Sequence, residues 1–120
     1  MLIYDGDCGF CRRSLGWARA LGAAAPAAPW QALDLTGYDL TTAEATSAAW
    51  FIQGRTRASG HLAIAAFLAT SRHWIVRALA HLLASRLAAP AAARTYAWVA
   101  EHRHRLPGGT TACRTDRTAA

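Results

Sequence analysis

The chain reads as a small α/β layer fold with extra helices at its C-terminal end, and three observations carry that reading. Short apolar runs bounded by turn residues alternate with stretches of helical period. The tripeptide Gln53-Gly54-Arg55 is a tight-turn signal between two of those runs. From about residue 72 onward the pattern is helical, interrupted at Pro90 and ended by Pro107-Gly108-Gly109.

Taken in order, Leu2, Ile3 and Tyr4 form an apolar run that predicts a buried strand, and Asp5-Gly6-Asp7 breaks it as a turn. A helix follows to about Leu21, with Cys11, Leu15 and Ala18 on one face and Phe10, Trp17 and Leu21 close by; Gly22 stops it. Ala23 to Pro29 reads as an irregular connection, and Trp30 to Leu35 as a second strand. Thr41 and Glu44 match a capping box, which predicts a short helix over 42–47. Ala48 to Ile52 is expected to be a central strand, paired through the tight turn with a brief strand over Thr56 to Ala58. Ser59 is the expected cap of a helix reaching about Thr70. Further helices are expected over about 72–87 and 91–105, and Thr110 to Ala120 is polar.

A length of 120 residues suits one domain that can bury roughly two-thirds of the surface its unfolded chain exposes. Such a core needs no disulfide staples. At 53% hydrophobic and 17% charged residues the composition is that of a globular protein. The net charge of +6 raises the question of an anionic partner, but Arg12, Arg19, Arg55, Arg72, Arg86, Arg94 and Arg105 are dispersed. A basic solvated face is the expectation, with no nucleic-acid partner. Met1 leads directly into the first strand, and no run of about 18 apolar residues occurs. The expectation is therefore a soluble cytoplasmic protein without a membrane span. In that compartment closely spaced cysteines serve catalysis or metal binding more often than structure.

Cys8 and Cys11 fall on the first turn of the first helix. Residues three apart on a helix have α-carbons roughly 5 Å apart, inside the window of about 4.4–6.8 Å for a disulfide. The pair can close or open without a large backbone movement. Half a zinc site has the same spacing, and its remaining ligands would have to come from Cys113 and one of His61, His73, His81, His102 or His104. His102 and His104, two apart on a helix, point to different faces. The tryptophans at 17, 30, 50, 74 and 98 are read as core and groove packing.

The segment Tyr4-Asp5-Gly6-Asp7-Cys8-Gly9-Phe10-Cys11 resembles the N-terminal signature of the DCC family of thiol-disulfide oxidoreductases, its Asp-x-x-Cys-x-x-Cys pattern filled by Asp5, Cys8 and Cys11. The segments 50–54, 59–64 and 96–106 are similar to that family as well, so the likeness covers most of residues 2 to 113. It implies a thioredoxin-like fold, a small mixed sheet with flanking helices, over a domain expected at 1–106; the Pro107-Gly108-Gly109 stop and the polar residues after it predict a flexible tail over 107–120. Thioredoxins and glutaredoxins place a cis-proline before the strand facing the cysteines; none of Pro26, Pro29, Pro90 and Pro107 directly precedes residues 48–52. Thioredoxin-type substrate binding is accordingly not implied.

The resemblance implies thiol-disulfide exchange with a protein or small-molecule thiol or disulfide, without a bound cofactor. Cys8, nearer the helix N-terminus and expected to be the more exposed, is the candidate nucleophile, and Cys11 the resolving thiol. Lowering a thiol from about 8.5 to about 7 is worth roughly 2 kcal/mol. Arg12 and Arg13 would contribute if they turned back toward the sulfur, while Asp5 and Asp7 would oppose it. Asp7 is a candidate helix cap. Asp5 is a catalytic candidate that either relays the resolving thiol's proton or bonds the turn's amides. His61 reads as a capping or surface residue, and Cys113 as a spare thiol or third redox partner. A zinc-binding module and a non-catalytic interaction scaffold are the alternatives, and the oligomeric state is left open.

Overall fold

In a computed structural model, which describes residues 1–102 and Arg105, a four-stranded mixed sheet forms the centre of the molecule. Strand β1 spans Leu2–Tyr4, β2 Ala27–Pro29, β3 Trp50–Gln53 and β4 Thr56–Ser59, in the spatial order β2-β1-β3-β4. β1 pairs parallel with β2 and antiparallel with β3, and β3 pairs antiparallel with β4. β1 lies between two strands, and its successive side chains, which point to opposite faces, are both buried. Leu2 is 4% and Ile3 1% exposed, which is why its sequence is a continuous apolar run.

Helix α1, Gly9–Ala20, crosses from β1 to β2, since parallel neighbours need such a connection. It stops where Gly22 takes φ +92°, a conformation that costs a side chain dearly. The second strand is Ala27–Pro29, not the expected Trp30 to Leu35. Leu2 donates to the carbonyl of Pro26 at 2.9 Å, and β2 occupies the sheet edge, where proline's missing donor is harmless. Residues 30–32 and 35–38 instead form 3-10 turns.

Helix α2, Thr42–Ser47, carries the expected capping box. Thr41 Oγ accepts from the Glu44 amide at 3.1 Å, and the Glu44 carboxylate accepts from the Thr41 amide at 3.0 Å. The β3–β4 hairpin closes on Gly54-Arg55, with Gly54 at φ +60°. Ser59 is not the next cap: it ends β4 opposite Trp50, and Gly60 at φ +63° starts helix α3, His61–Leu68. α3 buries Ala63, Ala65 and Phe67, and Phe67 meets Phe51 of β3 with ring centroids 6.4 Å apart.

Helix α4 spans Trp74–Ala84 and α5 spans Ala89–His102, with a bend of 96° between them. The break falls at residues 85–88 rather than at Pro90, which sits in the first turn of α5 where no intrahelical donor is lost. α4 turns Ala80 inward and leaves Trp74, Ile75, Leu79 and Leu82 more than half exposed. Trp17 and Trp98 are likewise about half exposed, so the tryptophans are not uniformly core residues. Among the described residues no single helix is long and apolar enough to cross a membrane. The expected tail over 107–120 lies outside the described residues.

Candidate functional site

The backbone leaves β1, turns through Asp5-Gly6-Asp7 and enters α1 at Cys8. The turn closes with the Cys8 amide donating to the Asp5 carbonyl at 3.3 Å. Its tightness requires Gly6, because a β-carbon there would lie 2.6 Å from Cβ of Pro29 at the end of β2. The helix cap is Cys8, not Asp7, which is exposed. Cys8 has extended backbone angles (φ −83°, ψ 113°), and its Sγ accepts from the Cys11 amide at 3.4 Å. A first-turn amide that commonly meets a Ser or Asp oxygen thus points at sulfur. The two cysteines sit one turn apart at the strand-to-helix junction, as their spacing predicts.

Their exposures run opposite to the expectation. Cys8 is fully buried, whereas Cys11 is partly exposed. Cys8 is held in a disulfide. Cys8 therefore carries its burial in a bonded state.

Asp5, 3% exposed, directs its carboxylate into the turn. Oδ1 accepts from Nε2 of Gln31 at 2.7 Å and from the Asp7 amide at 3.1 Å. The other end of the same Gln31 amide accepts from the Gly6 N–H at 2.9 Å. Gln31 thus clamps the turn that delivers Cys8 and fixes Asp5. Sequence reasoning missed it: Gln31 lies 26 residues from Asp5, in a segment read as strand, and no local pattern marks it. Asp5 thus bonds the turn's amide, one of the two roles open to it.

Arg13 does not turn back to the sulfur. Its guanidinium lies over the Trp17 ring at 5.6 Å, and Trp17 in turn meets Phe10 edge-on at 6.2 Å. Arg12 is exposed. His61 opens α3 with its Nε2 buried and without a hydrogen-bond partner among the described residues, so it does not cap the helix. It lines a cavity between α3, α4 and α5 that includes neither cysteine. Cys113 lies outside the described residues, and among those described no three His, Cys, Asp or Glu side chains gather as a metal site would require.

A cavity of about 230 Å³ adjoins Cys11. Cys11 and Asp5 form part of its wall, and most of the remainder is apolar, drawn from α1, β1, α3 and α5. Tyr96 of α5 is anchored there, its hydroxyl accepting from the Ala49 amide at 3.0 Å just before β3.

A partly exposed thiol beside a sulfur that caps a helix is an arrangement suited to exchange between sulfurs, because helix N-terminal amides stabilise a thiolate. A family model described as DCC1-like thiol-disulfide oxidoreductase matches residues 2–109. No curated protein and no solved structure matches the chain. The mixed four-stranded sheet with flanking helices is consistent with the thioredoxin-like fold of that family. With most of its length matched and its Cys8–Cys11 pair at the β1–α1 junction, the chain belongs to the DCC1-like thiol-disulfide oxidoreductase family.

Proposed function

We propose that Cys8 is the nucleophile and Cys11 the resolving thiol of a two-electron exchange with a protein or small-molecule disulfide. The Cys8 thiolate attacks one sulfur of the substrate, forming a mixed disulfide and releasing the first substrate thiolate, which takes a proton from water. The Cys11 thiol then loses its proton and attacks Cys8 Sγ. The mixed bond breaks, the second substrate thiolate leaves and is protonated, and Cys8 and Cys11 end joined. The substrate disulfide is reduced to two thiols as the pair is oxidised.

The observation that carries this assignment is the 3.4 Å approach of the Cys11 amide to Cys8 Sγ at the start of α1. It favours a thiolate at Cys8, the cap, over one at Cys11, three residues in, whose own amide is already so engaged. Asp5, also in the wall of the cavity that Cys11 lines, is the group proposed to take the resolving proton. The proposed compartment is the cytoplasm, where such pairs are kept reduced enough to turn over; cell fractionation tests this.

The assignment is tested by mass spectrometry after mixing the reduced protein with a disulfide. Cys11→Ser should accumulate the mixed disulfide on Cys8, and Cys8→Ser should form none there and fail to turn over. Trapping on Cys11 in the Cys8→Ser protein, with turnover retained, would reverse the roles.

A further inference from the structure

We infer that the cavity beside Cys11 selects substrates whose reacting sulfur carries a compact apolar group of about the size of an aromatic ring. This rests on the exchange reading above and adds to it the substrate's chemistry. Phe10, Leu15 and Ala18 from α1, Ile64 from α3 and Val99 from α5 supply apolar wall, with Cys11 in the same lining. The Tyr96 hydroxyl accepts from the Ala49 amide, which holds that side chain against the start of β3. A dry apolar cavity of about 150 Å³ takes a benzene, and this one, at about 230 Å³, has room for a substituted or fused ring.

The same wall discriminates against polar substrates. A charged tripeptide such as glutathione would bring two carboxylates and an ammonium against a mostly apolar wall whose few polar side chains, Tyr4, Ser14 and Tyr96 among them, are too sparse to replace its hydration, beside the carboxylate of Asp5. An apolar substituent meets no such penalty and leaves water on entering. For a group of ring size this amounts to a preference of roughly ten- to a hundred-fold over a small polar one. The apolar group can belong to a low-molecular-weight thiol or to a hydrophobic residue beside a polypeptide cysteine; the chemistry recognised is the same.

The test is a single-turnover reaction of the reduced protein, without external reductant, with each product thiol followed by mass spectrometry. One arm compares the mixed disulfide of 2-phenylethanethiol and 2-mercaptoethanol with bis(2-hydroxyethyl) disulfide and glutathione disulfide. The other compares short peptides containing Phe-Cys or Ser-Cys, each joined to 2-mercaptoethanol. A preference of ten-fold or more for the apolar member in either arm supports the inference, and the arm in which it appears identifies the source. Ala18→Leu and, from the opposite wall, Ala100→Leu should each bring the ratio of apolar to polar rates toward one. Circular dichroism identifies any variant that fails to fold, and the other then decides. Equal rates for apolar and polar substrates, or a ratio untouched by filling the cavity in folded protein, overturn the inference while leaving the exchange chemistry standing. Release of no thiol from any disulfide overturns the exchange chemistry itself.

Discussion

Replacing Gln31 by Leu removes both ends of the clamp on the site turn while keeping a side chain of similar length. The two bonds lost are unequal. The Gly6 amide is exposed and exchanges Gln31 for water at little cost. The Asp5 carboxylate, 3% exposed, loses a 2.7 Å bond to an anionic acceptor, a class worth about 1.5–3 kcal/mol when the acceptor stays dry. Gln31 itself is exposed, so its removal also admits water to Asp5, and the expected loss falls to about 1–2 kcal/mol. For a chain of 120 residues that is a fall in Tm of roughly 4–8 °C. A double-mutant cycle with Asp5→Ala isolates the pair, and urea titration should give a coupling of about 1–2 kcal/mol. Additivity within about 0.5 kcal/mol would show that the clamp carries no weight and that the turn holds itself.

Two further variants probe the frame around the site. Phe67→Ala, at a side chain 1% exposed against Phe51, should cost about 3–5 kcal/mol by urea titration, whereas Leu79→Gln, 59% exposed on α4, should stay within about 0.5 kcal/mol. Gly22→Ala puts a β-carbon 2.6 Å from the His73 ring and 2.7 Å from Ser71 Oγ, at φ +92°. Ser71 cannot move aside, being bonded to the Leu21 carbonyl at 2.7 Å and the His73 amide at 3.0 Å, so a loss of about 1–3 kcal/mol in thermal unfolding is expected.

Much of this was legible in the sequence where the cause is local. The capping box of α2, the hairpin at Gly54 and the stop of α1 at Gly22 follow from a few adjacent residues. β2 was misplaced because a three-residue edge strand containing a proline has no alternation to read; it exists through its pairing with β1, decided 25 residues away. Ser59 looked like a cap because the hydroxyl chemistry fits, yet its pairing with Trp50 extends β4 through it and leaves the turn to Gly60. At the site, the spacing gave both cysteines and Asp5, but a capping role for the Cys8 sulfur and the hold of Gln31 depend on three-dimensional placement.

The helices after the hairpin bear on the chemistry as well as the fold. Without α5, the cavity beside Cys11 would lose Tyr96, Val99 and Ala100 from its wall and lie open along that side. The Tyr96 bond to the Ala49 amide ties that helix to the residue preceding β3, the position where thioredoxins carry their cis-proline. In this chain a tyrosine hydroxyl therefore engages a backbone amide that proline would lack. On the proposed exchange reading, a substrate reaching Cys11 would meet the mostly apolar wall supplied by α1 and α5. On that reading, the added helices favour recognition by side-chain character rather than by backbone pairing.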